Sequence, residues 1–277
     1  MRKQSDPNNN NNYAIFVVFL VGGMLMLFQF VKNIPVYVEG ALAFPQSPIT
    51  FHSKIYDGLL TKYVKDGLVD YAALKNSSEL RDAVDELKHT SPDKLVAEDD
   101  QMAYWVNAYN LLVLKMIADR YPIRTINQIG NDYSGKMFVV GGRPYAVQDI
   151  YIGQIFPRAK QSHETDIFLV SQGAIGYPPL QTHGFDKDNL ATDAEAAAHA
   201  FINDPRNVLY DPDSKALKLS KFFQWTQDVY GGKWDTPFVM VDSYLDKKVD
   251  LRLEGLTQAY SLPFDWRLND SKLRAAK

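Results

Sequence analysis

The pattern of apolar and polar positions divides the chain into four parts. Residues 13–31 form a run of 19 positions without a charged side chain, which matches the ~20 residues that a helix needs to cross a bilayer. Polar residues 1–12 precede this run, and residues 32–50, which contain three prolines, follow it. We therefore predict a disordered cytoplasmic tail (1–12), a transmembrane anchor (13–31), a linker (32–50) and a globular domain (51–277).

The charges that flank the apolar run predict its orientation. Arg2 and Lys3 precede the run and Lys32 follows it, which favours a cytoplasmic N-terminus. The globular domain is then extracytoplasmic, or periplasmic in a Gram-negative cell, and residues 13–31 contact the lipid bilayer. The alternative is a signal peptide cleaved after Ala43, although the run is longer than the ~7–15 apolar residues usual in such peptides.

Apolar residues at helical spacing predict helices over residues 51–63, 76–89, 97–121, 192–202 and 222–230. Ser77 and Ser78, near the start of the second of these ranges, are candidate N-caps. The third ends where a proline follows, because the residue before proline is disfavoured in a helix.

Shorter apolar runs predict the strands. These are residues 136–140, a buried strand over 166–171, and a hairpin formed by 208–210 and 216–219. Helices and strands do not alternate regularly, so the predicted class is α+β rather than a doubly wound sheet. We expect a single mixed domain in which helices pack a short central sheet.

The long helix at 97–121 contains two unusual polar residues. Apolar side chains lie on nearly all sides of this helix, so we predict that it is buried nearly all round. Asn107 and Asn110 fall inside that surround, about one turn apart on the same side. A buried amide without partners costs about 1–3 kcal/mol, so both need specific partners. They either hold a neighbouring backbone segment or line a cleft.

Composition excludes several kinds of chemistry. The formal net charge is −3 and no stripe of Lys and Arg is present, so we expect no nucleic-acid binding. The chain has no cysteine, which excludes disulfides, thiolate nucleophiles and Cys-ligated metals. His163, His183 and His199, even with Asp186 or Asp188, do not have the spacing of metal ligands. We therefore expect no metal and no cofactor.

Five short motifs resemble, in the same order, those of the domain-of-unknown-function 547 family. They are GLVDYAAL at 67–74, YWVNAYN at 104–110, YAVQDI at 145–150, FLVSQGAIGYP at 168–178 and FDWRLN at 264–269. Each motif is short, and their shared order makes the resemblance fairly specific. The family has no settled activity that the resemblance could imply.

The chain departs from the family pattern where chemistry would be expected. Family members commonly carry two cysteines in the fourth motif, and a histidine often precedes them. Gln172 and Tyr177 occupy the cysteine positions here, and Ile167 occupies the histidine position. A papain-like or transglutaminase-like mechanism, which the family pattern suggests, therefore cannot operate in this chain. The chain therefore resembles a family member that lacks the usual cysteine nucleophile.

The remaining candidates surround the fourth motif. Ser171 lacks the G-x-S-x-G turn of a serine nucleophile. Residues 173–179 form a turn of small residues, which either lets a ligand approach backbone amides or is a connector packed by Tyr177. Because motifs of one family often meet in one cleft, we expect Asp265 and Trp266 near this turn.

These observations define a candidate cleft and three functional hypotheses. The first is a membrane-anchored, non-catalytic envelope module that binds a peptide, a glycan or an envelope protein. The alternative is a hydrolase-type enzyme that uses carboxylate and amide groups, and the third is a purely structural role. The residues of the candidate cleft are Asn107, Asn110, Asp149, Gln172, Tyr177, Asp265 and Trp266.

The predicted topology is tested by protease accessibility. Protease added to intact cells or spheroplasts should digest the domain at 51–277, because the anchor places it outside the cytoplasm. Immunoblotting against a C-terminal tag measures the digestion, and a cytoplasmic marker protein controls for leakage. A domain that stays intact in spheroplasts until the cytoplasmic membrane is permeabilised would contradict the orientation.

Overall fold

The computed structural model describes residues 54–161, 164–211, 213–229, 237–246 and 257–275. All of them belong to one unit by their internal contacts. The predicted tail, anchor and linker lie outside the described residues. No helix among those described is long and apolar enough to span a membrane.

Helices account for most of the regular structure in the described residues. The α-helices are α1 (Lys54–Tyr63), α2 (Tyr71–Leu74), α3 (Ser78–His89), α4 (Glu98–Arg120), α5 (Asp132–Gly135), α6 (Val147–Ile150), α7 (Phe156–Gln161), α8 (Leu190–Ile202), α9 (Lys221–Trp225), α10 (Pro237–Tyr244) and α11 (Ser271–Ala275). Shorter turns of 3₁₀-helix are Pro92–Lys94, Ile126–Ile129, Glu164–Leu169 and Gln227–Val229, and a π-helical turn spans Tyr151–Ile155.

The strands are short and form separate pairs. They are β1 (Val64–Lys65), β2 (Leu68–Val69), β3 (Met137–Val140), β4 (Arg143–Ala146), β5 (Val208–Asp211), β6 (Ala216–Ser220) and β7 (Thr257–Leu262). β1 pairs with β2, β3 with β4, and β5 with β6, all antiparallel, and β7 joins β6 in parallel. The predicted hairpin is thus confirmed at β5 and β6. The α+β class is also confirmed, but the described strands form three small sheets rather than one central sheet.

The long helix α4 takes the central place that we expected a sheet to hold. From Met102 to Ala118, every side chain except that of Lys115 is buried, which confirms the prediction of a helix surrounded by core. Three acidic residues lie in its first turn, where their negative charges interact favourably with the positive end of the helix dipole. Its end lies before Pro122, within one residue of the predicted boundary.

Other helix predictions are confirmed with small changes at their ends. Ser77 caps α3 by accepting a hydrogen bond from the N–H of Leu80 (3.1 Å). α8 begins two residues earlier than predicted. The helix expected over 222–230 is divided into α9 and a 3₁₀ turn, and its final residue lies outside the described residues.

The buried strand predicted over 166–171 is wrong. Residues Glu164–Leu169 form a 3₁₀-helix, and residues 170–172 have no regular secondary structure. A continuous apolar run is buried in either conformation, so its hydrophobicity does not distinguish a strand from a helix. Side-chain amides satisfy the backbone at its end, in place of a neighbouring strand.

The 3₁₀-helix carries a buried acid that makes stability depend on pH. Asp166 is 1% exposed. Burial, followed by repulsion from Asp99, Glu195 and Glu164, raises the pKa of Asp166 to about 8. The unfolded chain, with a pKa of about 3.9, releases this proton much earlier. The associated stability is therefore full below about pH 4 and is lost as pH rises through about 8.

We predict that Asp166→Asn stabilises the fold increasingly as pH rises. The amide carries no charge, so the advantage over the wild type should grow by up to about 4 kcal/mol between pH 5 and pH 8.5. Urea denaturation at several pH values measures it. Asp82→Asn, on the exposed face of α3, is the control and should show no such trend. A pH-independent effect of Asp166→Asn would contradict the prediction.

Candidate functional site

An open groove of about 340 Å³ lies beside the central helix. Four tyrosines line it: Tyr109 from α4, Tyr133 from α5, Tyr151 from the π-helical turn and Tyr177 from the loop after the 3₁₀-helix. We call this cavity the aromatic groove.

Two amides and the end of α9 complete the aromatic groove. Gln148 lies on α6 and Gln172 lies on the loop that carries Tyr177. Trp225 and Thr226 form the opposite wall, at the end of α9. Gln172 and Tyr177 therefore share one cavity.

The backbone that presents Gln172 is fixed from two sides. Asn110 Nδ2 donates to the carbonyl of Leu169 (2.9 Å), and its Oδ1 accepts from the N–H of Ser171 (2.9 Å). The hydroxyl of Tyr133 donates to the carbonyl of Gln172 itself (2.8 Å). Buried hydrogen bonds of this kind are costly to break, so the loop enters the groove in one defined position.

Asn107 makes an equivalent clamp one turn earlier on α4. Its Nδ2 donates to the carbonyl of Phe185 (2.7 Å), and its Oδ1 accepts from the N–H of the same residue (2.9 Å). Both Asn107 and Asn110 thus hold backbone segments, which is the first of the two alternatives for these amides. Neither lines the aromatic groove. Asn110 acts on the groove only through the loop that it positions.

The turn at 173–179 is held by the C-terminal segment. The N–H of Ile175 donates to the carbonyl of Arg267 (2.9 Å), and the N–H of Gly176 donates to that of Asp265 (2.9 Å). The carbonyl of Gly173 accepts from the N–H of Asn269 (2.9 Å). The expected proximity of Asp265 and Trp266 to this turn is confirmed. These amide groups serve the chain itself rather than a ligand.

An exposed cluster of rings extends the groove. Trp225, Phe264 and Trp266 form this cluster, which we call the aromatic ledge; Tyr177 lies 4.9 Å from Phe264 between ring centroids. Phe264 lies 4.9 Å from Trp225 and 4.6 Å from Trp266, and the two indoles are 5.6 Å apart. Trp266 therefore lies next to Trp225, at the edge of the aromatic groove.

The two acidic residues of the candidate cleft have other roles. Asp149 Oδ2 accepts from the N–H of Ala146 (3.2 Å) and so caps α6. Asp265 accepts a hydrogen bond from Arg267 Nε (2.9 Å), and this pairing lowers the pKa of Asp265. Neither carboxylate lines the aromatic groove. Of the predicted set, the structure places Gln172 and Tyr177 in the groove and Trp266 at its edge.

The groove has a neutral lining. Among the described residues that line it, none carries an ordinarily charged side chain. Burial raises the pKa of Tyr151 to about 12 and holds those of Tyr109, Tyr133 and Tyr177 well above the usual value. Their hydroxyls therefore remain protonated at neutral pH and provide hydrogen bonds, not bases.

A second cavity of about 350 Å³ lies on the other side of Tyr177. Its lining is charged: it includes Arg206, which pairs with Asp204, and Arg267, which pairs with Asp265 outside the lining. Each guanidinium is neutralised by a carboxylate two residues earlier in the chain. Tyr177 thus lines both a charged cavity and an uncharged one.

The histidines are dispersed. His183 Nε2 contacts Asp193 Oδ2 (2.8 Å), and His199 Nε2 contacts Asp246 Oδ1 (2.7 Å), in different parts of the fold. His163 lies outside the described residues. In the part of the chain that the structure describes, no group of three or more candidate side chains could hold a metal ion.

Sequence reasoning missed several groove residues. Trp225 lies on a helix far along the chain from the fourth motif, and no spacing relates the two. Tyr133 and Tyr151 lie in short helical elements. Tertiary packing alone determines which way these elements present their side chains, so the sequence carries no signal for them. Gln148 offered the clearest signal, because it stands inside the third motif beside Asp149.

We predict that Asn110→Leu destabilises the fold by about 2–5 kcal/mol, because it leaves the carbonyl of Leu169 and the N–H of Ser171 buried without partners. Urea denaturation measures the loss. Asn127→Leu, at an exposed position of a 3₁₀ turn, is the matched control and should change stability by less than about 0.5 kcal/mol. Equal effects of the two substitutions would contradict the role of Asn110.

Comparison with known proteins supports the family resemblance. Residues 92–202 match the model of the family described as protein of unknown function, DUF547. This segment contains three of the five motifs, including those with Asn110 and Gln172. No curated protein and no solved structure matches the chain. The similarity to this family of proteins of unknown function covers residues 92–202 of the 277-residue chain.

Proposed function

We propose that this protein is a membrane-anchored, extracytoplasmic binding module whose aromatic groove holds an uncharged polar ligand without converting it. The main support for this proposal is the neutral lining around Gln172. Gln172 stands where the resemblance to the family leads us to expect cysteine. A glutamine amide does not ionise at physiological pH, so it provides neither a nucleophile nor a general base.

The position of the family histidine supports the same proposal. Ile167 holds this position, is 1% exposed and packs in the hydrophobic core. It does not line the aromatic groove. Neither member of a thiol–imidazole pair is therefore present, and Asp149 and Asp265 are engaged outside the groove. This arrangement favours binding over the hydrolase alternative.

The lining also limits the charge of the ligand. A charged group that entered the groove would lose hydration without meeting an opposite charge, which is unfavourable. Gln148 and Gln172 offer donors and acceptors among aromatic walls, whereas the hydroxyl of Thr226 already donates to the carbonyl of Phe222 (2.8 Å). Apolar walls with a few polar groups are typical of sites for small ligands. The ligand that fits is neutral and rich in hydrogen-bonding groups.

The location of the module follows from the sequence. The uncharged run at 13–31 supports a single-pass anchor that contacts the bilayer, with the described domain on the extracytoplasmic side. A glycan, peptide or protein of the cell envelope is then the accessible class of partner.

The binding proposal is tested with neutral and charged probes. The full-length protein, in dodecyldimethylamine oxide, is titrated with cellohexaose, decaproline, octagalacturonate and tetralysine. We expect a neutral probe to raise the unfolding temperature and the charged probes to have no effect. Gln172→Leu should weaken that binding about 10-fold, because it removes a hydrogen-bonding amide.

Two controls make this outcome decisive. Gln161→Leu changes an exposed glutamine on α7 that does not line the groove, and it should bind like the wild type. Mass spectrometry of the probes after overnight incubation should show no product. Cleavage of a probe that disappears in Gln172→Leu would contradict the proposal, as would binding of charged probes only or of none.

A further inference from the structure

The aromatic ledge exposes two large rings beside the groove. Trp225 is 42% exposed and Trp266 is 36% exposed. Tryptophan is usually well buried, because its ring contributes a large apolar area to the core. Two exposed indoles within 5.6 Å of each other therefore form an apolar surface that is typical of a binding site.

The ledge is held rigidly from behind. Phe264 packs against both indoles, and a Cβ at Gly176 would come within 2.9 Å of the Phe264 ring. The carbonyl of Trp266 accepts from the N–H of Ile126 (3.3 Å), which fixes the backbone beneath the ring. Because the rings are already held in place, the protein side chains lose little conformational entropy when a ligand stacks on them.

We infer that the ligand is a neutral oligosaccharide that stacks its sugar rings on the aromatic ledge and bonds its hydroxyls in the aromatic groove. This inference rests on the proposed function. A pyranose ring has a face of C–H groups that packs on an indole and an edge of hydroxyls. Trp225 and Trp266 supply the stacking faces, and Gln148 and Gln172 supply paired donors and acceptors next to them.

The surrounding backbone favours a saccharide over a peptide. An extended peptide gains affinity by pairing with free backbone groups of the receptor. In the turn beside the ledge, the N–H groups of Ile175 and Gly176 are already bonded to the C-terminal segment. A sugar needs side-chain partners instead, and the groove provides them. Its volume of about 340 Å³ suits a short segment of chain.

The inference is tested by titrating the full-length protein with neutral oligosaccharides. Dodecyldimethylamine oxide is used because its headgroup is not a sugar. Cellohexaose, maltohexaose, chitotetraose and decaproline are the probes, and calorimetry with tryptophan fluorescence measures binding. We expect at least one saccharide to bind and decaproline not to bind.

Substitutions on the ledge identify the stacking surface. Trp225→Ala and Trp266→Ala should each weaken saccharide binding about 10-fold or more, because each removes a stacking face. Trp225→Phe keeps an aromatic face and should stay within about 3-fold of the wild type. Leu209→Ala is the control, at a 41% exposed position outside the ledge, and should leave affinity unchanged. Circular dichroism confirms that each variant is folded.

The remaining outcomes separate this inference from the proposed function. If decaproline alone binds, and Gln172→Leu weakens that binding, the saccharide inference is wrong and the proposed binding function still stands. Saccharide binding that survives both Trp225→Ala and Trp266→Ala would overturn the ledge as its surface. The absence of binding by every saccharide and by decaproline would overturn both proposals.

Discussion

The two hydrogen bonds from Asn110 to the backbone around Leu169 and Ser171 are the constraint on which the site depends. They join the buried helix α4 to the loop that carries Gln172. In a low-dielectric interior, such bonds are strong when made and costly when lost. They fix the point from which Gln172 and Tyr177 enter the aromatic groove, and Asn107 fixes a second loop in the same way.

The segment at 264–270 closes the site from the other end of the chain. It bonds to the turn that follows Gln172, and Asn269 also donates its amide to the carbonyl of Gly67 (3.1 Å). The first and last motifs thus meet, although the family match covers only the region between them. These contacts carry Phe264 and Trp266 to the groove. A scaffold bonded in this way holds the loop in one position, because its buried amides bond to the backbone.

Local signals predicted the helices, and tertiary packing decided the rest. Proline and serine at defined positions fixed the ends of α3 and α4, and the turn-forming residues fixed the hairpin of β5 and β6. The apolar run before Ser171 predicts a strand but forms a 3₁₀-helix. Its apolar pattern reflects burial and carries no information about backbone hydrogen bonding. The pairing of Trp225 with Trp266 depends on two distant segments, and no local pattern encodes it.

We propose that the surface around Gln172 receives a neutral ligand. Hydrogen–deuterium exchange of the full-length protein, with and without saturating cellohexaose or another neutral probe that binds, locates the contact directly. The account predicts slower exchange in the groove segments around Gln148, Gln172 and Trp225, with little change elsewhere. Protection confined to the charged cavity beyond Tyr177, or to surfaces remote from the groove, would contradict it.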